Sequence, residues 1–150
     1  MKKRTHIFFH ALVGCAAMVG LAPHGAFAAT DDEVAARKTV LDLAGAFSND
    51  GFKLRDGNLT GTISPKQAIT VQVNLYAGNQ YWFSVGSTDK AKKLLVTVFD
   101  EAGKPATVEP YQDAGKAAAG FSPDASGPYY VRIQELEGEP ANFCLIYSYK

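Results

Sequence analysis

The stretch ITVQVNL, residues 69–75, constrains the fold of this chain more than any other segment. Ile69, Val71, Val73 and Leu75 alternate with Thr70, Gln72 and Asn74. A period of two sorts into one apolar and one polar face only along an extended strand. Comparable runs follow to the C-terminus (QYWFSV, LLVTVFD, YYVRIQEL and NFCLIYSY), with YAGN, STDKAKK, DEAGKP and EGEP between them. These separators hold the turn-forming residues, and Pro105 bars a central strand position where it stands. Residues 106–122 read either as two short strands or as a strand and a loop. Seven or eight short strands at this spacing predict a mainly β protein, an antiparallel two-sheet β-sandwich of jelly-roll type. Its core is expected to hold Val71, Val73, Val96, Val98, Val131 and Ile133.

One helix is expected before the strands. Thr30 stands three residues before Glu33, the spacing of a capping box, and the early acids suit the positive end of a helix dipole. Val40, Leu43, Ala44 and Phe47 form an apolar stripe at helical spacing, and Asn49-Asp50-Gly51 ends it. The helix either packs on the domain behind it or docks a partner.

The N-terminus reads as a secretory leader. Lys2, Lys3 and Arg4 precede a mostly apolar run, and Ala26-Phe27-Ala28 has the small-x-small form of a cleavage site. The chain therefore divides into a signal peptide (1–28), an N-terminal helix (29–50) and a sandwich domain (51–150), and the mature protein is expected in the periplasm or outside the cell. The alternative is a lipoprotein anchored through Cys15, since Leu12–Cys15 resembles a lipoprotein box. No later segment is long and apolar enough to span a membrane.

Losing the leader changes the available chemistry. Removing 28 of the 150 residues leaves 122, enough for one core. All three histidines (His6, His10, His24) go with it, and only Cys144 of the two cysteines stays. Lys+Arg falls from 15 to 12 while Asp+Glu stays at 15, so the net charge is near −3 and nothing points to nucleic acid. Without histidine there is no Ser-His-Asp or Cys-His site and no usual zinc set. Cys144, within the last strand, reads as a small hydrophobe. Glu135, Glu137 and Glu139 bracket a hairpin turn and read as solvated charge protecting a strand end. No catalytic residue, metal site or cofactor is expected; whether Asp89, Asp100, Glu101, Asp113 or Asp124 binds calcium in a turn stays open.

Function then falls to the surface. Trp82 alternates with Tyr81 and Phe83 and should face outward, and Tyr76, Tyr111, Tyr129 and Tyr130 lie in or beside turns. Exposed aromatics stack on sugars or anchor proteins. Ser126-Gly127-Pro128-Tyr129 forms the turn before a core strand, with Pro128 fixing φ at the strand's start. The candidate binding residues are Ser126, Tyr129, Tyr130, Trp82 and Tyr76.

The motifs LYAGNQYWFSV, LLVTVFDEAGKP and FSPDASGPYYVRI, in this order over Gly57 to Tyr149, resemble the bacterial pre-peptidase C-terminal (PPC) domain, a small secreted β-sandwich. That resemblance implies an accessory or binding module with an envelope protein or glycan as partner. The chain departs from the family at KKLLVTV, where an acidic D-x-D-L is frequent. Ser126-Gly127-Pro128-Tyr129 is also similar to the S-G-x-Y loop of the periplasmic inhibitors of invertebrate- and goose-type lysozymes. That likeness implies a lysozyme as partner and the loop as the inhibitory element.

Overall fold

The computed structural model describes residues 28–150; residues 1–27, on which all but the last residue of the expected signal peptide (1–28) and Cys15 fall, lie outside the described residues. Helix α1 (Asp31–Ser48) is followed by β1 (Lys53–Leu54), β2 (Leu59–Ile63), β3 (Ala68–Leu75), β4 (Tyr81–Ser87), β5 (Ala91–Phe99), β6 (Glu109–Asp113), β7 (Lys116–Phe121), β8 (Gly127–Gly138) and β9 (Ala141–Tyr149). Every strand pair is antiparallel. The larger sheet runs β1-β9-β4-β7-β6, with β2 also on β9, and the smaller runs β3-β8-β5. The mainly β, two-sheet architecture with one leading helix thus matches expectation, with nine strands among the described residues. The ambiguous stretch 106–122 holds the hairpin β6–β7, and the short strands β1 and β2 were not foreseen.

Between the sheets, Phe83, Val85, Phe143 and Leu145 meet Leu75, Leu94, Val96, Val98, Val131 and Ile133. Alternation explains the choice: Val131 and Ile133 are two apart on β8, as are Val96 and Val98 on β5. Val71 and Val73 face the same core but remain half-buried, because β3 pairs with β8 on one side only. They were expected to be buried; an edge strand lacks the second neighbour that would close over them.

Helix α1 covers the outer face of the larger sheet. Thr30 accepts from the Glu33 amide at 3.3 Å, while the Glu33 carboxylate accepts from the Thr30 amide at 2.8 Å, a complete capping box. Ala36, Val40 and Ala44 pack on Cys144 and Ile146 in a second apolar cluster. The approach is close because β4 offers a glycine: a Cβ on Gly86 would lie 2.5 Å from the Val40 amide nitrogen. Lys90 also pairs with Asp32 at 3.1 Å, tying the start of the helix to the β4–β5 turn. No helix among the described residues is long and apolar enough to cross a membrane.

Candidate functional site

Leu75 pairs with Gly127 and Phe99 with Tyr130, so the end of β3, the start of β8 and the end of β5 meet at one end of the smaller sheet. Three turns project there: residues 76–80, 100–108 and 122–126. Side-chain hydrogen bonds hold them. The Ser126 hydroxyl oxygen accepts from the Ala77 amide at 2.9 Å, joining two turns that lie 49 residues apart in sequence. The Tyr129 hydroxyl donates to the Ala125 carbonyl at 2.9 Å, and its ring meets Phe121 edge-on, with centroids 5.2 Å apart. In the first turn the Tyr81 hydroxyl oxygen accepts from the Tyr76 amide at 2.9 Å and from Asn79 Nδ2 at 3.1 Å. In the second, Asp100 Oδ1 accepts from the Lys104 amide at 2.8 Å.

A shallow pocket of about 380 Å³ lies between two of these turns, lined by Asp100, Glu101, Ser126, Pro128 and Tyr129 among others. The bonds decide what its edge can offer. With its oxygen engaged by Ala77, the Ser126 hydroxyl keeps its proton for an incoming acceptor. Tyr129 has spent its proton on Ala125 and keeps an acceptor lone pair. Tyr76, at 62% exposure, stands on the neighbouring turn and lines a separate pocket with Arg55, Asn79, Tyr81 and Tyr149, while Glu101, Lys104 and Asp124 are exposed on the other two turns. The end is an aromatic and hydrogen-bonding surface with charges of both signs around it.

Of the five candidate residues, Ser126 and Tyr129 share one pocket, with the Tyr129 ring half-buried and packed on the core, and Tyr76 lines a second pocket at the same end. Tyr130 alternates with Tyr129 and points to the outer face of the smaller sheet, half-buried beside Gln72 and Phe99. Trp82 lies on the other sheet. It faces outward, as its alternation requires, but is half-buried rather than exposed: the Phe47 ring of α1 stacks on it at 4.2 Å with planes 6° apart. Gly120 on β7 is close as well: a Cβ there would lie 2.9 Å from the indole. Phe47 covers one ring face, while Trp82 still lines a shallow pocket of about 470 Å³ with Phe52, Gln80 and Glu109.

Elsewhere, Glu135 corrects its sequence reading. It is not solvated at a strand end; it is fully buried, with neither carboxylate oxygen hydrogen-bonded by a described residue. Burial pushes its pKa above the ordinary 4.5. Glu137 is exposed and lies 3.6 Å from Lys93, and Glu139 is exposed. Cys144 is buried beneath α1; burial raises its thiol pKa, with Arg37 opposing. Among the described residues, no three His, Cys, Asp or Glu side chains converge as metal ligands.

The parts of this end missed from sequence are Ala77, acting through its amide, and Tyr81, acting through its hydroxyl. Neither carries a signal by residue type, although the Gly78-Asn79 turn beside them does.

No family model matches the chain, and no curated protein matches it. Among solved structures it is similar to Aeromonas hydrophila PliG, a periplasmic lysozyme inhibitor of g-type lysozyme: 19% identity, TM-score 0.44, covering 63% of this chain and 85% of that one. It is also similar to a de novo designed double-stranded β-helix, at 15% identity and TM-score 0.37, covering 61% and 97%. At these scores neither likeness bears on function.

Proposed function

We propose that this chain is a non-enzymatic binding or accessory protein of the bacterial cell envelope, a PPC-like β-sandwich whose contact surface is the three-turn end. The bond from the Ala77 amide to Ser126 carries the reading. It fastens two distant turns to each other, so the surface with Tyr76, Ser126 and Tyr129 is already ordered and loses little freedom on binding. The leader and the loss of every histidine with it support an exported protein without a nucleophile–histidine site. Partner capture tests the reading: residues 29–150 are immobilised and challenged with envelope extract, purified glycans and a lysozyme panel. Tyr76→Ala should weaken retention of the true partner about tenfold or more, as an anchor residue does. A partner held equally well by Tyr76→Ala and Ser126→Ala would place the contact elsewhere.

A second reading, that the partner is a lysozyme, draws on one observation besides the motif. The free proton of Ser126 suits a carboxylate acceptor of the kind that lines a glycosidase cleft. Titration against goose- and invertebrate-type lysozymes should then show inhibition by wild type. Ser126→Ala should weaken it by about 1–3 kcal/mol, tenfold to a hundredfold. Its melt should fall by no more than about 1 kcal/mol, since the Ala77 amide becomes free to bond water. Wild type without effect at micromolar concentration ends the lysozyme reading and leaves the first intact.

A further inference from the structure

The sheet edges are guarded unequally. Strand β6, at one margin of the larger sheet, reads Glu109-Pro110-Tyr111-Gln112-Asp113: two acids, and a proline with no N–H to offer. At one margin of the smaller sheet β5 carries Lys92 and Lys93 at an irregular register, and Gln112 Nε2 donates to its Leu94 carbonyl. These are the devices by which sheets discourage pairing with other chains. Strand β3, at the opposite margin, has none of them. It is eight residues long, AITVQVNL, with neither proline nor charge. It pairs with β8 alone, and among the described residues no other backbone hydrogen bond reaches it. From Gly57 through Leu75 the one charged residue is Lys66, which sits in the turn before β3.

We propose that β3 is an interface between two copies of this chain, paired antiparallel about a two-fold axis so that the two smaller sheets join into one of six strands. The strand is self-complementary. With Val71 opposite its own copy, Ile69 meets Val73 of the second copy and Thr70 meets Gln72, so apolar residues adjoin on the inner face and neutral polar ones on the outer. No like charges are brought together, because the strand has none. Ile69, Val71 and Val73, left half-exposed in the single copy, gain the second neighbour that central strands already have. The remaining N–H and C=O groups of β3 are satisfied in the same step.

Sedimentation of residues 29–150 over a concentration series tests this. Wild type should move from monomer to dimer between about micromolar and millimolar concentration, the range of a small interface. Gln72 is exposed on the outer face, so Gln72→Lys and Gln72→Glu should fold normally, as a thermal melt would verify. Each alone sets like charges on both sides of the two-fold and should weaken the dimer about tenfold, and an equimolar mixture should restore association. A chain that stays monomeric at millimolar concentration would overturn the proposal. So would a dimer indifferent to both substitutions, or a monomer that takes up extended peptides of other sequence along β3. The outcome is independent of which partner binds the turn end.

Discussion

The carboxylate of Glu135 is buried close to Gly138, beside the backbone of Lys90 and Lys92, with neither oxygen hydrogen-bonded by a described residue. Desolvation favours its protonated form, so the folded pKa stands above the 4.5 of the free side chain. The unfolded chain releases this proton near pH 4.5, whereas the folded chain holds it to higher pH. The folded state therefore binds more protons across that interval, and stability falls as pH rises through it. Glu135→Gln cannot ionise, so relative to wild type it should be more stable at pH 7 than at pH 4, by the cost of ionising the buried carboxyl. Melts of both proteins at the two pH values check it; a variant that loses more stability at pH 7 than at pH 4 would mean that the ionised carboxylate is stabilised in place. This residue also marks where sequence reading went astray. Its spacing from Glu137 and Glu139 suggested a charged turn, but Glu135 continues the inward register of Val131 and Ile133. Period outranks composition at that position. At the turn end the reverse holds: the Ser-Gly-Pro-Tyr motif is visible in sequence, but the Ala77 amide that engages Ser126 comes from a turn 49 residues away, a contact no local pattern encodes.

Helix α1 and strand β4 meet backbone to backbone at Gly86, so the elements are coupled by the absence of one carbon atom. Gly86→Ala should force the helix outward, loosening the cluster of Ala36, Val40, Ala44, Cys144 and Ile146. A loss of about 1–3 kcal/mol is expected, as for overpacking. Reactivity of Cys144 toward a thiol reagent in the folded protein should rise with it. Wild-type stability together with a still-protected thiol would refute this packing. The strands respond according to their place: Val131→Ala, in central β8, should cost about 1–3 kcal/mol, and Val71→Ala, on the edge, clearly less; equal losses would contradict the sheet order. Alternation made β3, β4, β5, β8 and β9 legible. Strand β1 is two residues long and β2 reads LTGTI, too short and too rich in small polar residues for a period to emerge. The Ala-Ala-Ala-Gly run of β7 has no β-branched residue to distinguish strand from loop.

At the scale of the molecule, two sheets of unequal width give three surfaces with different character. The helix covers β4 and β9 on the outer face of the larger sheet and stacks Phe47 on Trp82, so the aromatic that looked most available from sequence is partly covered. The uncharged margin at β3 suits a second copy. The three-turn end presents Tyr76, Ser126 and Tyr129 on a framework fixed by its own hydrogen bonds, and it is the surface on which the proposed function depends. Amide mapping tests that dependence most directly: the isotope-labelled chain, residues 29–150, titrated with the envelope fraction, glycan or lysozyme that it captures. The account predicts perturbations confined to residues 76–80, 100–104 and 122–130, and their loss with Tyr76→Ala. Perturbations centred on α1 or on the Lys90–Glu139 end, with those turns silent, would contradict it.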